Sequence, residues 1–560
     1  MNNCIEDIKK SSIRKEKISL LTYPFSDPSP IPEFGRLYPY NRFDGYTAKG
    51  TEQVWEIIVM ENDFIKLWIN PSVGGKIWGA IEKSTGKEFI YFNHVAKFRD
   101  VAMRGPWTSG GMEINMGIIG HSPSCSSPVD YHMRQNDDGG VSCFIGATDW
   151  PSRTEWRVEI TLPHHTAYFT TNCWWYNNSC MQQSYYQWNN VGVKVAGNLE
   201  YIYPGYQRLG HDGKSLSWPI DDKAHNLSFY EQNNHGEYKS YHVFGSYSDF
   251  WGCYWHDDNF GLGHAAAYDD KPGKKIWIWG LSRYGMIWED LLTDHDGQYA
   301  EVQSGRLFNQ SVSLSSKTPF KHRSFLPYTY DTWNEYWFPV KGIGGLTYGN
   351  HLFSFTIAEE NGKRTINICA NQPLNHTLKI LHHTNEVLTK SISLIPMQTV
   401  SYTLPVDLNL NAIKILLNDE VFYNAAEQNE PLKRPTEIVA NYDFNSVQAI
   451  GIQAKEWERQ RFFERAIDKY KSCLEKDPYY MMALTGLAGI YFKQMKYEDA
   501  LALLLTALSI DTYDGESNYL YGLVNLRLND ITNAKDGFSI ASQSVEYRAA
   551  SYLELAKIFV

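Results

Sequence analysis

A period of 34 residues governs the C-terminal part of the chain. Small residues recur at this interval in one column, which is Ala454, Ala488, Gly522 and Ala556. A second column is large, with Tyr470, Leu504 and Phe538. Small residues let two antiparallel helices approach closely, and large residues fill the space between them. The period therefore predicts a solenoid of helix pairs over residues 446–560, with about three and a half repeats.

The best copy of the repeat resembles a known family. Ala-Leu-Thr-Gly-Leu-Ala-Gly-Ile-Tyr at 483–491, followed by Tyr-Glu-Asp-Ala-Leu at 497–501, is similar to the tetratricopeptide repeat. This resemblance implies a protein partner or self-association through the repeats. A solenoid unit contacts mainly its neighbours, so an uncovered end exposes apolar surface. The last helix carries Leu553, Leu555 and Phe559, and we expect the preceding β-domain or a second subunit to cover it.

Short strand-like runs fill the chain before the repeats. Examples are Glu-Trp-Arg-Val-Glu-Ile-Thr-Leu at 155–162 and Lys-Ile-Trp-Ile-Trp at 275–279, and helical periodicity is scarce. Many short strands in a long segment predict a large sandwich or barrel. We predict five parts: an N-terminal extension (1–34), a large all-β domain (35–345), a small β-sandwich (346–424), a linker (425–445) and the repeats (446–560).

Composition excludes several classes of function. The net charge of −11 lacks the basic excess that a nucleic-acid binder needs. The longest apolar run, around 501–505, is far shorter than the ~20 residues of a membrane helix, so we predict no membrane contact. The eight cysteines form no C-x-x-C pair, and the N-terminus has no apolar signal region, which favours a reducing, cytoplasmic compartment. Without H-E-x-x-H or a P-loop, the sequence predicts no metal and no cofactor.

Several motifs before the repeats resemble a known fold and a known family. Asn-Pro-Ser-Val-Gly-Gly-Lys-Ile-Trp-Gly-Ala at 70–80 looks like the opening hairpin of the galactose-mutarotase-like β-supersandwich. Gly-Gly-Met-Glu-Ile-Asn-Met-Gly at 110–117 and the long motif at 288–306 resemble a bacterial domain of unknown function joined to tetratricopeptide repeats. The resemblance implies a supersandwich for residues 35–345. Its common theme is carbohydrate, since that fold hosts mutarotases, glycoside hydrolases, phosphorylases and lyases.

Two strands carry the same carboxylate-x-amide pattern. Side chains alternate along a strand, so Glu113 and Asn115 share one face, and Glu301 and Gln303 share another. A glycosidase needs one protonated and one ionised carboxyl group, together with neutral groups for the sugar hydroxyls. We therefore predict Glu113 and Glu301 as the catalytic pair, with Asn115 and Gln303 as substrate-binding residues. The structural alternatives are a solvated strand face or hydrogen bonds that only hold neighbouring loops.

Other residues are reserve candidates. Glu335 lies in an aromatic strand, and Asp130 follows a Pro-Val turn. His121 is a candidate because mutarotases of the resembled fold pair a histidine acid with a carboxylate base. Arg104 could hold a sugar hydroxyl or carboxylate. Aromatic rings make up 15% of the chain, and most of them suit a sheet core, but three are predicted to form a wall for stacking a sugar: Trp107, Trp150 and Trp288.

These observations favour a carbohydrate-active enzyme. The leading hypothesis is a glycoside hydrolase that acts on an oligosaccharide with a pair of carboxylates. One alternative is an aldose mutarotase or epimerase, which needs a carboxylate and a histidine around a one-ring site. A second alternative is a non-catalytic sugar-binding or scaffold protein that acts through its repeats.

Overall fold

The fold is given by a computed structural model that describes residues 10–26, 45–100, 105–118, 120–121, 123–281, 283–310 and 314–560. The large N-terminal region contains one α-helix and 22 strands: β1 Ser12–Tyr23, β2 Thr51–Glu61, β3 Ile65–Asn70, β4 Lys76–Glu82, β5 Glu88–Ile90, β6 Val95–Lys97, β7 Met112–Gly117, β8 Asp130–Gln135, β9 Val141–Asp149, β10 Thr154–Leu162, β11 Phe169–Asn177, β12 Gln183–Lys194, β13 Leu199–Ile202, β14 Gln207–Leu209, β15 Ser215–Ser217, β16 Lys239–Phe244, β17 Phe250–Trp255, β18 Phe260–Ala265, β19 Gly273–Ile278, α1 Arg283–Leu292, β20 Tyr299–Gly305, β21 Arg323–Phe325 and β22 Tyr330–Lys341.

The rest of the chain contains eight strands followed by helices: β23 Tyr348–Gly349, β24 Phe353–Glu360, β25 Lys363–Ala370, β26 Leu374–His382, β27 Asn385–Leu394, β28 Thr399–Leu404, β29 Ile413–Leu417, β30 Glu420–Asn424, α2 Ala425–Gln428, α3 Val447–Arg459, α4 Phe463–Lys476, α5 Met481–Lys493, α6 Tyr497–Ile510, α7 Gly515–Arg527, α8 Ile531–Ala541 and α9 Arg548–Phe559. Within the described residues, no helix is both long enough and apolar enough to span a bilayer.

Two large sheets form the N-terminal domain, as predicted for a supersandwich. The first has fourteen strands, in the order β15-β14-β16-β19-β20-β12-β7-β4-β3-β2-β1-β6, with β21 beside β12 and β5 beside β4. The second has eight, in the order β13-β17-β18-β22-β11-β10-β9-β8. One buried apolar cluster joins residues of both sheets, such as Met112 and Val302 of the first and Val158 and Trp337 of the second. The predicted fold class is therefore confirmed.

Two segments differ from the sequence-based expectations in detail. Strand β1, which lies inside the predicted N-terminal extension, pairs with β2 from Ser12 to Thr22 and so belongs to the fourteen-stranded sheet. Helix α1 lies within the segment predicted as all-β. It forms there because Trp288 and Leu292 are four residues apart, which places both on one helix face, and both pack into an aromatic cluster.

A charged cluster is buried between the two sheets. The carboxylate of Glu335 in β22 is fully buried and receives five donors, at 2.5–3.2 Å: Asn189 Nδ2, Ser304 Oγ, His264 Nε2, Trp333 Nε1 and Lys271 Nζ. Burial opposes its ionisation, but Lys271 and His264 outweigh that effect and lower the pKa of Glu335 to about 2. Because Asn189 and Ser304 come from the fourteen-stranded sheet, this carboxylate links the two layers.

The small sandwich and the repeats follow the large domain. Strands β23-β24-β25-β28 and β27-β26-β29-β30 form two four-stranded sheets. Their core continues into the large domain through Phe250 and Phe338. Helices α3 to α9 then form successive antiparallel pairs. The columns read from the sequence are buried, with Tyr470 and Phe538 fully so, except that Ala556 in the last helix is exposed.

The repeats dock on the large domain through polar contacts. Glu456 of α3 is buried and accepts from Ser315 Oγ at 2.6 Å and from the backbone N–H of His322 at 2.9 Å. Tyr519 of α7 donates to the carbonyl of Cys180 at 3.0 Å. In the last helix, Glu554 accepts from Tyr328 of the large domain at 2.6 Å. The helix is covered on that side only, since Phe559 remains 69% exposed.

The Glu335 cluster gives a stability prediction. Replacing Glu335 by Ala leaves the Lys271 cation buried without its counter-charge, which costs about 3–5 kcal/mol. We expect the Glu335→Ala variant to lose that much free energy of unfolding, measured by urea titration followed by tryptophan fluorescence. Asp130→Ala is the matched control, because Asp130 is exposed at the start of the edge strand β8 and should change the free energy by less than about 0.5 kcal/mol.

The same carboxylate predicts a pH dependence. A carboxyl whose pKa is depressed in the folded state stabilises the protein above its unfolded value, 4.5, and that contribution disappears as the pH falls through about 2. The difference in stability between the wild type and Glu335→Ala should therefore shrink between pH 4.5 and pH 2. A difference that stays constant over this range would contradict the ionised state of Glu335.

The docking contact gives a further prediction. Glu456→Ala removes a charged acceptor from Ser315 and His322, and each such hydrogen bond is worth about 1.5–3 kcal/mol. We expect faster amide hydrogen exchange in α3 and in residues 315–325, with exchange in α5 to α8 unchanged. Glu475→Ala, at an exposed position of α4, is the control and should leave both regions as in the wild type.

Candidate functional site

A row of polar residues crosses the face of the fourteen-stranded sheet that is turned away from the eight-stranded sheet; we call this the outer face. Cross-strand partners point to the same face, and the register aligns Glu113 with Asn190, Asn190 with Gln303, and Gln303 with Lys275. The alternate residues of the same strands, such as Met112 and Val302, face the core. The row runs over six neighbouring strands and consists of Lys76, Glu113, Asn190, Gln303, Lys275 and His242.

Glu113 is a buried carboxylate held by several donors. Trp107 Nε1 donates to its Oε2 at 2.6 Å, and His121 Nδ1 lies 2.9 Å from its Oε1. Lys76 Nζ lies 3.9 Å from Oε2. Burial opposes the charge, but His121 and Lys76 outweigh it and lower the pKa of Glu113 to about 2. This group is therefore ionised over the whole working range of pH.

Glu301 is buried on the same face with the opposite tendency. Gln303 Nε2 donates to its Oε2 at 2.8 Å, and the hydroxyl of Tyr299 lies 3.5 Å from its Oε1. Burial raises the pKa of Glu301, and the negative charge of Glu113 adds to the rise, while His121 and Lys275 oppose it. Glu301 therefore keeps its proton to higher pH than an exposed glutamate.

The register fixes how far apart the two strands place these carboxyl groups. Glu113 faces Asn190 of β12, whereas Glu301 faces Gly192 on the other side of the same strand. Two strand spacings of about 4.8 Å and an offset of two residues of about 3.3 Å each put the two Cα atoms about 12 Å apart. The two side chains therefore lie on the same face, diagonally placed on either side of β12, and His121 interacts electrostatically with both.

A chain of hydrogen bonds leads from Glu301 through Gln303 to the neighbouring strands. Gln303 accepts from Gln310 Nε2 at 2.8 Å, and Gln310 accepts from Lys275 Nζ through its side-chain oxygen. The backbone N–H of Gln310 donates to His242 Nε2 at 3.1 Å, while His242 Nδ1 lies 2.9 Å from the carbonyl of Leu209. Burial lowers the pKa of Lys275 to about 7 and that of His242 well below its ordinary value.

Sequence reasoning missed Lys275, His242 and Gln310. Their positions on one face follow from the pairing of β16, β19 and β20, which alternation within a single strand cannot supply. Lys275 could have been found as a charged residue inside the aromatic run Lys-Ile-Trp-Ile-Trp, where a lysine on the core face would be costly.

The aromatic residues of the predicted wall are only partly together. Trp107 and Trp288 belong to one cluster with Trp279, at ring distances of 6.3 Å and 4.7 Å from it. Trp107 also meets His121 edge-on at 5.1 Å. Trp150 lies instead at the turn between β9 and β10, where it is 71% exposed and packs under Arg153.

The remaining candidates lie elsewhere. Asn115 is buried on the Glu113 face and interacts with that carboxylate. Glu335 is separated from the polar row by the sheet itself, because it binds Asn189 and Ser304, the core-facing neighbours of Asn190 and Gln303. Asp130 is exposed at the edge of the eight-stranded sheet. Arg104 lies outside the described residues.

One group of potential metal ligands occurs in the described part of the chain. Asp221, His225 and His235 place one ligand atom each within 4.8 Å of one another. His225 Nδ1 lies 2.9 Å from Asp221 Oδ2, and the two imidazole rings stack at 4.6 Å. A direct Asp221–His225 hydrogen bond accounts for this contact without an ion.

Comparison with known proteins places the chain in a family. The chain is similar to a TPR-domain containing protein from Parabacteroides distasonis, at 17% identity and a TM-score of 0.52. The match covers 99% of this chain and 89% of that protein. About half of the chain (51% and 50%) is similar to galactose mutarotase-like proteins from Clostridium acetobutylicum and Lactobacillus casei, each at 10% identity, with TM-scores of 0.40 and 0.37 and coverage of 96% and 99% of those proteins. A family profile matches residues 32–340, which is more than half of the 560 residues, and the chain therefore belongs to the family described as Domain of unknown function (DUF5107).

Proposed function

We propose that this protein is a glycoside hydrolase in which Glu301 is the general acid and Glu113 the general base. One observation carries the proposal: two buried carboxyl groups share one sheet face, and their surroundings move their pKa values in opposite directions. Such divergence separates an acid from a base at a single pH. The neutral amides of Asn115 and Gln303 lie beside them and hydrogen-bond to Glu113 and Glu301, respectively.

The reaction requires two proton transfers. Glu301 donates its proton to the glycosidic oxygen as the bond from that oxygen to the anomeric carbon breaks, and the bonding electron pair stays on the leaving oxygen. Glu113 takes a proton from a water molecule whose oxygen attacks the anomeric carbon from the opposite face. The products are a hemiacetal and an alcohol, and solvent then resets both carboxyl groups. His121 and Lys76 keep Glu113 ionised before the attack.

The separation of the strands favours inversion of the anomeric configuration. With Cα atoms about 12 Å apart, the strands do not bring the backbones that carry the two carboxyl groups into direct contact. Inverting enzymes hold their carboxyl groups about 6.5–9.5 Å apart, whereas retaining enzymes bring them to about 5–5.5 Å. Proton NMR of the anomer first released from substrate distinguishes the two outcomes.

A second candidate is an aldose mutarotase. It is favoured by the 2.9 Å contact between His121 and Glu113, since a histidine and a carboxylate can act as acid and base on one ring. The two reactions differ in product. A hydrolase releases a new reducing end, whereas a mutarotase only speeds the exchange between anomers of a free sugar, which polarimetry follows directly.

Two further assignments accompany the proposal. The repeats provide a surface for a protein partner or for self-association, and the helix faces turned away from the large domain are available for this. We also propose a reducing, cytoplasmic compartment, which is the one that the spacing of the eight cysteines in the sequence favours.

The carboxyl pair gives the central mutational prediction. After a panel of nitrophenyl glycosides and oligosaccharides identifies a substrate, Glu113→Gln and Glu301→Gln should each lower kcat by at least about 100-fold, the scale of a lost acid or base. The melting temperature should stay near that of the wild type, because glutamine keeps the shape of the side chain. Asp130→Asn is the matched control and should be fully active. Near-normal turnover in either glutamine variant would remove that residue from the mechanism.

The pKa shifts predict the shape of the pH profile. Activity needs Glu301 protonated, so kcat/KM should fall as the pH rises through the raised pKa of Glu301. The fall expected on the acid side from protonation of Glu113 should appear only near pH 2. Fluoride leaves without being protonated by a general acid. With a glycosyl fluoride as substrate, the fall in kcat/KM at high pH should therefore be weaker. Equal limbs for both substrates would argue against Glu301 as the acid.

A further inference from the structure

A pair of stacked aromatic rings lies beside the polar row and takes no part in the chemistry above. Tyr238 precedes β16 and stacks on Trp277 of β19, with 4.6 Å between ring centroids and 16° between planes. Tyr238 is 53% exposed, although it is a large aromatic residue. We call these two residues the Tyr238 platform.

The platform lies on the far side of Glu301 from Glu113. Trp277 is the direct cross-strand partner of Glu301, and Ser240, two residues after Tyr238, is the partner of Trp277. The order across the sheet is therefore Glu113, then Glu301, then Trp277, then the strand that carries Tyr238. A bound ligand that extends from the carboxyl pair past Glu301 therefore reaches the platform.

The platform is held rigid from behind. Trp277 packs edge-on against Trp279 at 5.4 Å, and Lys275 Nζ lies 5.0 Å from its ring centroid. Trp277 stacks on one face of Tyr238, and Tyr238 is 53% exposed, so the opposite face of the ring is the one available to a ligand. Because the ring is already ordered, stacking on it costs little conformational entropy.

The exposed face selects a particular chemistry. An aromatic face carries partial negative charge, and the C–H groups on one side of a pyranose ring carry partial positive charge. A sugar ring therefore stacks on such a face, whereas a compact alcohol such as methanol offers too little surface to do so.

We propose that the Tyr238 platform binds a sugar ring of the leaving group, so that the substrate is a disaccharide or a longer oligosaccharide. This inference rests on the proposed function, because the general acid Glu301 lies next to the departing oxygen, and the group attached to that oxygen extends toward Trp277. The glycone occupies the Glu113 side, and the platform sets specificity on the other.

The test compares two substrates with the same glycone. One is the disaccharide that the wild type hydrolyses best, and the other is the matching glycosyl fluoride, whose leaving group has no ring. Tyr238→Ala should lower kcat/KM for the disaccharide by about 3- to 10-fold, the size of an aromatic stacking contact. It should leave kcat/KM for the fluoride within about twofold of the wild type, and Tyr238→Phe should restore the disaccharide value.

A matched control checks that the loss is local. Tyr247 is 52% exposed and packs on Tyr268 at 4.4 Å, but it belongs to the segment between β16 and β17, away from the carboxyl pair. Tyr247→Ala should leave both substrates unaffected. Equal losses of Tyr238→Ala on the disaccharide and the fluoride, no loss on either, or a wild type that uses the fluoride and no disaccharide would each overturn the inference.

A binding measurement separates this inference from the hydrolase proposal. If the wild type cleaves neither substrate, the hydrolase proposal fails. Calorimetric titration with cellobiose, maltose, lactose and melibiose then decides on the platform. Binding of one of these that weakens about 3- to 10-fold in Tyr238→Ala supports it, whereas equal binding by both proteins, or none by the wild type, overturns it.

Discussion

The alternation of side chains along β7, β12 and β20 is the constraint on which the rest of the molecule depends. Each of these central strands sends apolar residues such as Met112, Val191 and Val302 into the core between the sheets. The residues between them face the other way and bring Glu113, Glu301 and their amide neighbours onto one surface. A shift of one residue in any pairing would exchange the two faces. The core therefore fixes the geometry of the candidate site.

The buried carboxylates on the two faces of the sheet differ in their hydrogen-bond donors, and Glu301 differs from the others in the direction of its pKa shift. Glu335, on the core side, is surrounded by five donors, and its role is to join the layers. Glu113 is also ionised, but its neighbour Glu301 has fewer compensating contacts, and burial favours its protonated form. A fully satisfied carboxylate stabilises a fold, whereas two carboxyl groups with opposed proton affinities can move protons. This contrast distinguishes the buried Glu335 cluster from the candidate site.

The repeats act on the same strands from the outside. Helix α7 contacts the segment around Cys180, which leads into β12, and helix α3 contacts His322, which directly precedes β21. Ser184, the second residue of β12, donates to the carbonyl of Arg459 in α3. The solenoid therefore supports the start of the strand that lies between Glu113 and Glu301, and this face of the repeats is occupied by the chain's own large domain.

The sequence by itself determined the features that repeat locally. The 34-residue period specified the helix pairs, and alternation with the family resemblance indicated the supersandwich and placed Glu113 and Glu301 on strand faces. Local patterns could not decide which strands become neighbours. Only the tertiary structure brought Lys275, His242 and Gln310 close to Glu301. It also buried Glu335 on the other side of the sheet and left Trp150 apart from Trp107 and Trp288. The physical reason is that periodicity acts over a few residues, whereas pairing joins positions more than a hundred residues apart, such as Asn190 and Gln303.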